Sequence, residues 1–312
     1  MLHSLLKMAG SVLGRGKLSI LIYHQVLAEF DPMRPNEPTA EVFDWQMALL
    51  ARYFTPLSLT EAVQRLAAGT LPANAVCVTF DDGYLNNLTV AQPILARYNI
   101  PATVYVATAF RSGDNMWNDR IQDLCADPHR LTLKTSETEI PLGDWPSRIA
   151  AAQQLLKTLK YLPVAERLQA VDELYRLNQA QEYPARMMND SQLQQLAALG
   201  ITIGAHTHNH PILKSLDAKA QQAEIEQSKI LLEQILHKPI EHFAYPNGVE
   251  GRDFDDVAVQ WVEAAGFKSA VMTNWGCSTA ATSPLRLKRF TPWDESKTKF
   301  HLRLLVNLLK RY

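Results

Sequence analysis

The sequence has little that would indicate a disulfide framework, a nucleic-acid partner or a membrane-spanning segment. Its three cysteines, Cys77, Cys125 and Cys277, are odd in number, far apart and never in a CxxC spacing. The net charge of -1 lacks the basic excess typical of nucleic-acid-binding proteins. No apolar stretch is long enough to cross a bilayer. We therefore expect no nucleic-acid partner, no transmembrane segment and a reducing, cytoplasmic location, with the periplasm and the membrane periphery left open.

The first residues, Met1 to Lys17, mix leucines with basic residues and contain no uninterrupted apolar core of signal-peptide length. If this segment is helical, several of its apolar side chains share one face. Two interpretations stay open: a short helix that packs on the domain, which we favour, and an amphipathic helix that makes peripheral contact with a membrane. The side chains that share this face are Leu2, Leu5, Leu6, Val12 and Leu13.

Eight apolar, β-rich runs recur along the chain, with helix-forming segments between several of them. Alternating strands and helices are typical of a parallel sheet, and eight runs are about enough for a barrel. The pattern predicts an α/β fold, a (β/α) barrel, in one domain of residues 1–312. The predicted strands are Leu18 to Tyr23, Phe54 to Leu59, Ala75 to Phe80, Ala102 to Ala107, Ile201 to Ala205, His242 to Tyr245, Lys268 to Thr273 and Leu285 to Phe290.

The segment from Arg111 to Leu199 interrupts this alternation. It is rich in Gln, Leu, Ala and Arg, and its apolar residues have helical periodicity around Ile149 to Leu162 and Val164 to Leu177. We predict a helical insertion between barrel units at about 111–199, which serves as a lid or contacts the substrate.

Two chemically informative motifs follow the third and fifth predicted strands. Asp81 and Asp82 end one buried strand, and His206 and His210 follow the other. Two adjacent carboxylates at the end of a buried strand are unfavourable unless a cation lies nearby. Taken singly, Asp-Asp-Gly is more often a turn or helix cap, and histidines four apart fit a surface helix. Together they predict a metal site of two histidines and one carboxylate, with a second carboxylate left over for hydrolysis.

These motifs, in this order, resemble those of the polysaccharide deacetylases, family 4 of the carbohydrate esterases. The matching segments are Thr79-Phe80-Asp81-Asp82-Gly83, His206-Thr207-His208-Asn209-His210 and Phe243-Ala244-Tyr245-Pro246-Asn247-Gly248. The resemblance covers roughly residues 18 to 292 apart from the insertion. It implies a deformed (β/α) barrel that removes N-acetyl groups from amino sugars with a divalent metal. The metal would most often be Zn2+, and Co2+ or Ni2+ also suits such ligands.

The resemblance also implies roles for single residues. Carried over by position, Asp82, His206 and His210 would bind the metal, and Asp81 would be the general base. The backbone N–H of Asn247 would stabilise the developing oxyanion. The partner that this implies is an N-acetylated glycan.

The chain departs from the common family pattern at two positions. It has no C-terminal Leu-x-Leu-His motif, and its one late histidine, His301, falls in a predicted surface helix. Instead Tyr23-His24 ends the first strand, as in the branch that includes exopolysaccharide and biofilm-polymer deacetylases, so we expect His24 to be the general acid. Ala244 stands where many members have an arginine that orients the base, and we expect Arg289 to replace it.

Aromatic residues near these motifs are candidates for binding sugar rings. We expect Tyr84, Tyr245 and Trp117 to contact the substrate, although Trp117 fits equally well in the packing of the insertion. The predicted function is N-deacetylation during synthesis or modification of a surface polysaccharide. Two alternatives are a catalytically silent sugar-binding or assembly protein on the same fold and, less favoured, a non-haem metal oxygenase.

Overall fold

A computed structural model describes residues 1–294 and 296–309 of the chain. All eight predicted strands are present, and they form one sheet. Two further strands, which the apolar pattern did not predict, form a separate hairpin. The strands are β1 (Ser19–Tyr23), β2 (Thr55–Pro56), β3 (Ala75–Phe80), β4 (Ala102–Val106), β5 (Thr132–Lys134), β6 (Glu139–Pro141), β7 (Thr202–Ala205), β8 (His242–Ala244), β9 (Ser269–Trp275) and β10 (Leu287–Arg289).

The large sheet curves into a nearly closed barrel of parallel strands. Its order is β1-β3-β4-β7-β8-β9-β10, and β2 pairs with the beginning of β3. The last and first strands meet where Phe290 donates to the carbonyl of Ile20 and accepts from the N–H of Ile22, at 2.8 and 3.0 Å. This is the deformed (β/α) barrel that the resemblance implied.

The strand residues are apolar at successive positions because the barrel buries both faces. Strands β1, β3 and β4 are buried along their whole length, between the barrel interior and the surrounding helices. Since the strands are parallel, their carboxyl ends lie at one end of the barrel. The segments that follow β1, β3, β7, β8 and β10 therefore meet there.

Helices surround this barrel, and side-chain oxygens fix the beginning of several of them. Thr39, Ser58, Asn189, Asp217 and Asp255 each accept a hydrogen bond from the first turn of the helix that follows. The helices are α1 (Leu2–Leu13), α2 (Ala40–Tyr53), α3 (Leu59–Ala67), α4 (Gln92–Arg97), α5 (Trp117–Ala126), α6 (Trp145–Leu159), α7 (Val164–Leu177), α8 (Asp190–Ala198), α9 (Ala218–Leu236), α10 (Asp256–Ala264) and α11 (Lys297–Leu309).

The segment predicted as a helical insertion contains α5, α6, α7 and the β5–β6 hairpin. These elements pack around a hydrophobic cluster of their own, which includes Ile121, Leu133 and Val171. Helix α8 differs, because Leu193 and Leu196 are buried in the main core of the barrel. The division of the chain into a single domain stays a prediction.

The terminal helices α1 and α11 pack against each other. His301 on α11 is fully buried, with a ring nitrogen 3.0 Å from one of His3. The expectation of a surface position for His301 is therefore wrong, because one face of α11, including Phe300 and Leu304, packs into the core. Among the described residues, no helix combines the length and the apolar character needed to cross a membrane.

Candidate metal centre and active site

Three candidate ligands from two strand ends converge at the carboxyl end of the barrel. Oδ1 of Asp82, which follows β3, lies 3.5 Å from Nε2 of His206 and 3.4 Å from Nε2 of His210, both of which follow β7. Donor atoms ~2.0–2.2 Å from a tetrahedral zinc ion are ~3.3–3.6 Å apart. Both spacings fit ligands of one ion, and all three donor atoms lie within 4.8 Å of one another.

The two imidazoles are prepared to act as neutral ligands. Burial lowers the pKa of His206 and lowers that of His210 well below its usual value. Nδ1 of His206 lies 2.7 Å from the carbonyl oxygen of Ala244, which only a protonated Nδ1 can bond. Nε2 of His206 is then left with a lone pair directed at the site. The short distances to Asp82 are thus not ion pairs, and they need another explanation.

Asp82 supplies that explanation. Its Oδ1 is buried and has no hydrogen-bond partner among the described residues. Burial, with the neighbouring Asp81, raises the pKa of Asp82 to about 7, despite the opposing effect of His24. Burial of a carboxylate oxygen is unfavourable when no hydrogen-bond donor replaces the water that it loses. A bound cation would compensate for this loss. The residues present therefore fit a divalent metal.

The adjacent carboxylate has the opposite surroundings. Asp81 receives two hydrogen bonds from the guanidinium of Arg289, at 2.6 and 2.7 Å, and both residues are buried. Burial would raise the pKa of Asp81, but Arg289 and then His206 hold it well below its usual value. Arg289 also donates to the carbonyl of Met272, which fixes it from the next strand. Asp81 is held ionised and fixed in orientation next to the metal ligands.

The site motifs share an unusual backbone conformation. Asp82, Thr207, His210 and Asn247 all have positive φ, at 73°, 64°, 53° and 59°. Left-handed backbone is rare for residues other than glycine and costs most for a β-branched residue such as Thr207. Buried Thr207 is held by a hydrogen bond from its hydroxyl to the carbonyl of His206. Such strain is maintained where the surrounding structure specifies side-chain positions closely.

His24 follows β1 and lines the same cavity as the metal ligands. Burial alone would lower its pKa, but Asp82, Glu37 and Asp81 together raise it above the usual value. Glu37, which accepts a hydrogen bond from the N–H of Gln25, was not anticipated from the sequence. A histidine surrounded by carboxylates retains its proton at higher pH, which suits a proton donor.

Asn247 also lines this cavity, in the loop after β8. Its carbonyl accepts a 2.6 Å hydrogen bond from the Thr273 hydroxyl, which fixes the loop. No residue of the described chain accepts a hydrogen bond from the backbone N–H of Asn247. This donor is therefore free for a substrate oxygen.

The cavity has a volume of about 850 Å³, and the insertion forms one of its walls. Trp117 lines it, with the Arg167 guanidinium 4.8 Å from its ring centre. Tyr84 lines it too, but its hydroxyl is bound to Asp119 at 2.7 Å. Tyr245 does not fit its expected role in substrate binding. It is fully buried, stacked on a phenylalanine and bonded to a backbone carbonyl, so it supports the site from behind.

Two supporting groups were missed because their partners lie far apart in the sequence. Arg34 donates to Asp119 and Asp123 at 2.9 Å each, which joins the loop after β1 to α5 of the insertion. Glu224 on α9 accepts from the backbone of His208 and Asn209 at 2.9 and 2.7 Å, which holds the histidine loop. A lone acidic residue on an amphipathic helix carries no sequence signal for such a role.

Comparisons with known proteins agree with this geometry. A sequence model of the family described as polysaccharide deacetylase matches residues 68–270. The candidate polysaccharide deacetylase YxkH of Bacillus subtilis (strain 168) is 22% identical over 264 residues, which are 84% of this chain and 67% of YxkH.

Solved structures share the fold. The deacetylase PplD of Streptococcus pyogenes, solved with acetate, has a TM-score of 0.60 at 22% sequence identity. The alignment covers 88% of this chain and 92% of the PplD chain. IcaB of Ammonifex degensii has a TM-score of 0.59 at 16% sequence identity, and the alignment covers 95% of this chain and 98% of the IcaB chain. A de-N-acetylase of Aggregatibacter actinomycetemcomitans has a TM-score of 0.55 at 16% sequence identity, and the alignment covers 88% of this chain and 94% of the de-N-acetylase chain. Because the family match spans well over half of the residues, the chain belongs to the polysaccharide deacetylase family, hydrolases of N-acetyl amide bonds.

Proposed function

We propose that this protein is a metal-dependent N-deacetylase that removes N-acetyl groups from amino sugars of a polysaccharide or oligosaccharide. The observation that carries the proposal is the buried, unpartnered Oδ1 of Asp82, placed 3.4–3.5 Å from two neutral imidazole nitrogens. Zn2+ is the metal that we propose, and Co2+ or Ni2+ fits the same donors.

The mechanism follows from the positions of the surrounding groups. When bound, the metal supplies Lewis-acid chemistry that polarises the acetyl carbonyl and acidifies water. Asp81, kept ionised by Arg289, accepts the proton of the attacking water. The free N–H of Asn247 stabilises the negative charge that develops on the carbonyl oxygen.

Departure of the amine requires a proton donor. His24 has a raised pKa and lines the cavity, so it donates a proton to the nitrogen as the C–N bond breaks. The adjacent carboxylates favour its protonated form before the reaction.

The substrate that we propose is an N-acetylated glycan of a surface polysaccharide. Support comes from the family and from an early Tyr23-His24 like that of exopolysaccharide deacetylases. A structural relative is named as a de-N-acetylase, which is the bond type proposed here. A cytoplasmic location stays a prediction.

The alternative of a silent sugar-binding protein rested on two missing motif residues. Arg289 contacts Asp81 although position 244 is an alanine, and His24 lies among the carboxylates although no late Leu-x-Leu-His is present. Both departures are therefore compensated, which favours the enzyme.

Acetate release measured together with metal content tests the proposal. We expect Asp81→Asn to lower acetate release from N-acetylated oligosaccharides at least about a hundredfold while metal content stays near one per chain. Asp82→Ala should lose both activity and metal. Chelation should abolish activity, and added Zn2+ should restore it.

Asp256→Asn is a matched control, since Asp256 lies on the surface of α10, bound to Arg286. It should retain wild-type activity and metal. An Asp81→Asn protein with most of its activity, or an Asp82→Ala protein with full metal content, would contradict the roles assigned here.

A further inference from the structure

Three cationic side chains of the insertion line the cavity of the metal ligands. They are Lys157 near the end of α6, Lys160 just after it and Arg167 on α7. None forms an ion pair with a carboxylate in residues 1–294 and 296–309. This side of the cavity therefore carries positive charge without a counterion.

Arg167 is the most informative of the three because it is buried. The residue is 4% exposed, and among the described residues its Nε has no partner and its one side-chain hydrogen bond goes to the Lys160 carbonyl at 3.3 Å. The guanidinium lies over Trp117, 4.8 Å from the ring centre, and lines the same cavity as His206 and His210. A buried guanidinium without an anion is unfavourable unless a ligand supplies one.

The other arginines around this cavity are paired with carboxylates. Arg34 is paired with Asp119, Arg252 with Asp253, and Asp81 with Arg289. The positive charge without a paired carboxylate is therefore confined to the insertion, whereas Asp82 and Glu37, which have no lysine or arginine partner among the described residues, lie outside it.

We propose that this wall, formed by Lys157, Lys160 and Arg167, binds an anionic group of the glycan, a carboxylate or a phosphate, close to the acetylated sugar. The inference rests on the proposed deacetylase function. Guanidinium groups bind both anions in a bidentate manner, and lysines add charge at the more exposed rim.

Matched substrates test this assignment. Three probes share one N-acetylglucosamine oligomer: the neutral chain, a chain with carboxylates at C6 and a chain with phosphates at C6. We expect wild type to have a lower KM for at least one anionic probe. Arg167→Gln should raise that KM about tenfold with little change for the neutral probe. The probe that responds identifies the anion.

Lys219→Gln, on the exposed surface of α9, controls for the change in net charge. Equal effects of Arg167→Gln on neutral and charged probes, or no anion preference in wild type, would overturn the proposal. If wild type hydrolyses no probe, the deacetylase function fails instead. Calorimetry then measures the binding of each probe to the Asp81→Asn protein. Tighter binding of a charged probe than of the neutral one, lost when Arg167→Gln is added, supports the anion site. Equal binding of charged and neutral probes refutes it.

A second inference rests on the terminal helices. Helix α1 packs through its small residues: Gly10 is its one buried residue, and a Cβ there would lie 2.3 Å from Oδ1 of Asn74 and 3.0 Å from Cδ2 of Leu305 on α11. Most apolar side chains of α1 are exposed, and Leu6 is the half-buried exception. The amphipathic helix therefore packs on the protein with the face opposite to the usual one.

Apolar side chains are exposed on both of these packed helices. On α1, Met8 and Val12 are 67% and 69% exposed, and on α11 an exposed stripe follows at spacings of four and three residues. Exposed apolar patches of this kind mark interaction sites. The side chains of this terminal face are Leu2, Leu5, Met8, Val12 and Leu13 of α1 and Leu302, Val306 and Leu309 of α11.

Charge indicates what the face contacts. Residues 1–17 and helix α11 contain six basic residues and no acidic one, although the whole chain has a net charge of -1. Of these six, Arg303 is paired with Asp294. We infer that the terminal face docks on an anionic lipid bilayer, with its apolar side chains between the headgroups and its basic residues near the phosphates.

Vesicle flotation tests this docking. We expect wild type to bind phosphatidylcholine vesicles that contain phosphatidylglycerol, more weakly at high salt, and to bind pure phosphatidylcholine poorly. Leu5→Gln with Val12→Gln should lower the partition coefficient at least about tenfold. The matched control is Leu199→Gln with Ile230→Gln, which are exposed apolar residues at the end of α8 and on α9.

The competing occupant is a second copy of the chain. A wild-type dimer that the Leu5→Gln, Val12→Gln protein converts to a monomer, without vesicle binding, would overturn the membrane inference. So would equal loss of binding in the control pair. Circular dichroism and thermal unfolding of each variant ensure that binding is compared between folded proteins.

Discussion

At the residue scale, the two adjacent carboxylates of the site differ because their partners differ. Asp81 is bound by a buried arginine that holds its pKa well below the usual range, whereas burial raises that of Asp82 to about 7. Neighbours in sequence thus have separate chemical roles, one ionised by the protein itself and one suited to a cation. Arg289 maintains this difference, since it donates to both oxygens of Asp81.

Replacement of Arg289 by lysine should impair the base without removing the metal. Lysine cannot make two parallel hydrogen bonds, so burial would raise the pKa of Asp81. We expect kcat/KM to fall about a hundredfold. The acidic limb of the pH profile of kcat/KM should move to higher pH, with metal content unchanged. Arg286→Lys, at a surface ion pair with Glu250, is the control. An acidic limb that stays in place would argue against Asp81 as the base.

His24 leads to a prediction for the opposite limb. A general acid acts in its protonated form, so activity that depends on His24 is present at low pH and lost as pH rises through its raised pKa. We expect His24→Gln to lower kcat about a hundredfold and to remove this basic limb. The pH profile of kcat/KM is the measurement, with His129→Gln in the insertion as a matched exchange. A variant that keeps the wild-type basic limb would exclude His24.

At the scale of elements, the strands of the barrel were predictable, whereas the β5–β6 hairpin and the placement of α8 were not. The barrel buries both faces of its strands, so β3 and its neighbours appear as continuous apolar runs. The β5–β6 hairpin has mostly exposed side chains and therefore lacks such a run. Helix α8 has the composition of the insertion, and only long-range packing of Leu193 and Leu196 assigns it to the barrel. The strand order, with β3 and β7 on either side of β4, explains why Asp82 and His206 meet at the ends of these strands. No local sequence pattern indicated that Glu37 or Glu224 contributes to the site.

One glycine in strand β7 permits the close approach of the two neighbouring strands. A Cβ at Gly204 would lie 2.5 Å from Cδ1 of Tyr105 and 2.8 Å from the backbone oxygen of His242. Since both neighbouring strands would have to move, we expect Gly204→Ala to lower the free energy of unfolding by about 1–3 kcal/mol. Urea unfolding measures this. Gly143→Ala has only an ordinary 3.6 Å contact and should change stability little; equal effects of the two would contradict the crowding.

At the scale of the whole molecule, two buried histidines far from the metal site connect separate layers. His242 at the start of β8 bonds to Thr60 and Ser269 at 2.8 Å each, and His301 on α11 contacts His3 on α1. Burial lowers the pKa of each to about 4. Both are therefore neutral in the folded protein at pH values where the unfolded chain is protonated.

The stability of the protein should accordingly depend on pH through these two side chains. An unfolded histidine has a pKa near 6.5, so between about pH 6.5 and 4 the unfolded state binds more protons than the folded state, and stability falls as pH falls. We expect the free energy of unfolding of metal-free protein to decrease from pH 7.5 to 5, and His242→Asn to show a shallower decrease although it is less stable overall. Urea unfolding at several pH values gives both slopes. His237→Asn is the control, because that exposed residue ends α9 without a buried contact. A His242→Asn slope equal to that of wild type would show that this residue is not a source of the acid sensitivity.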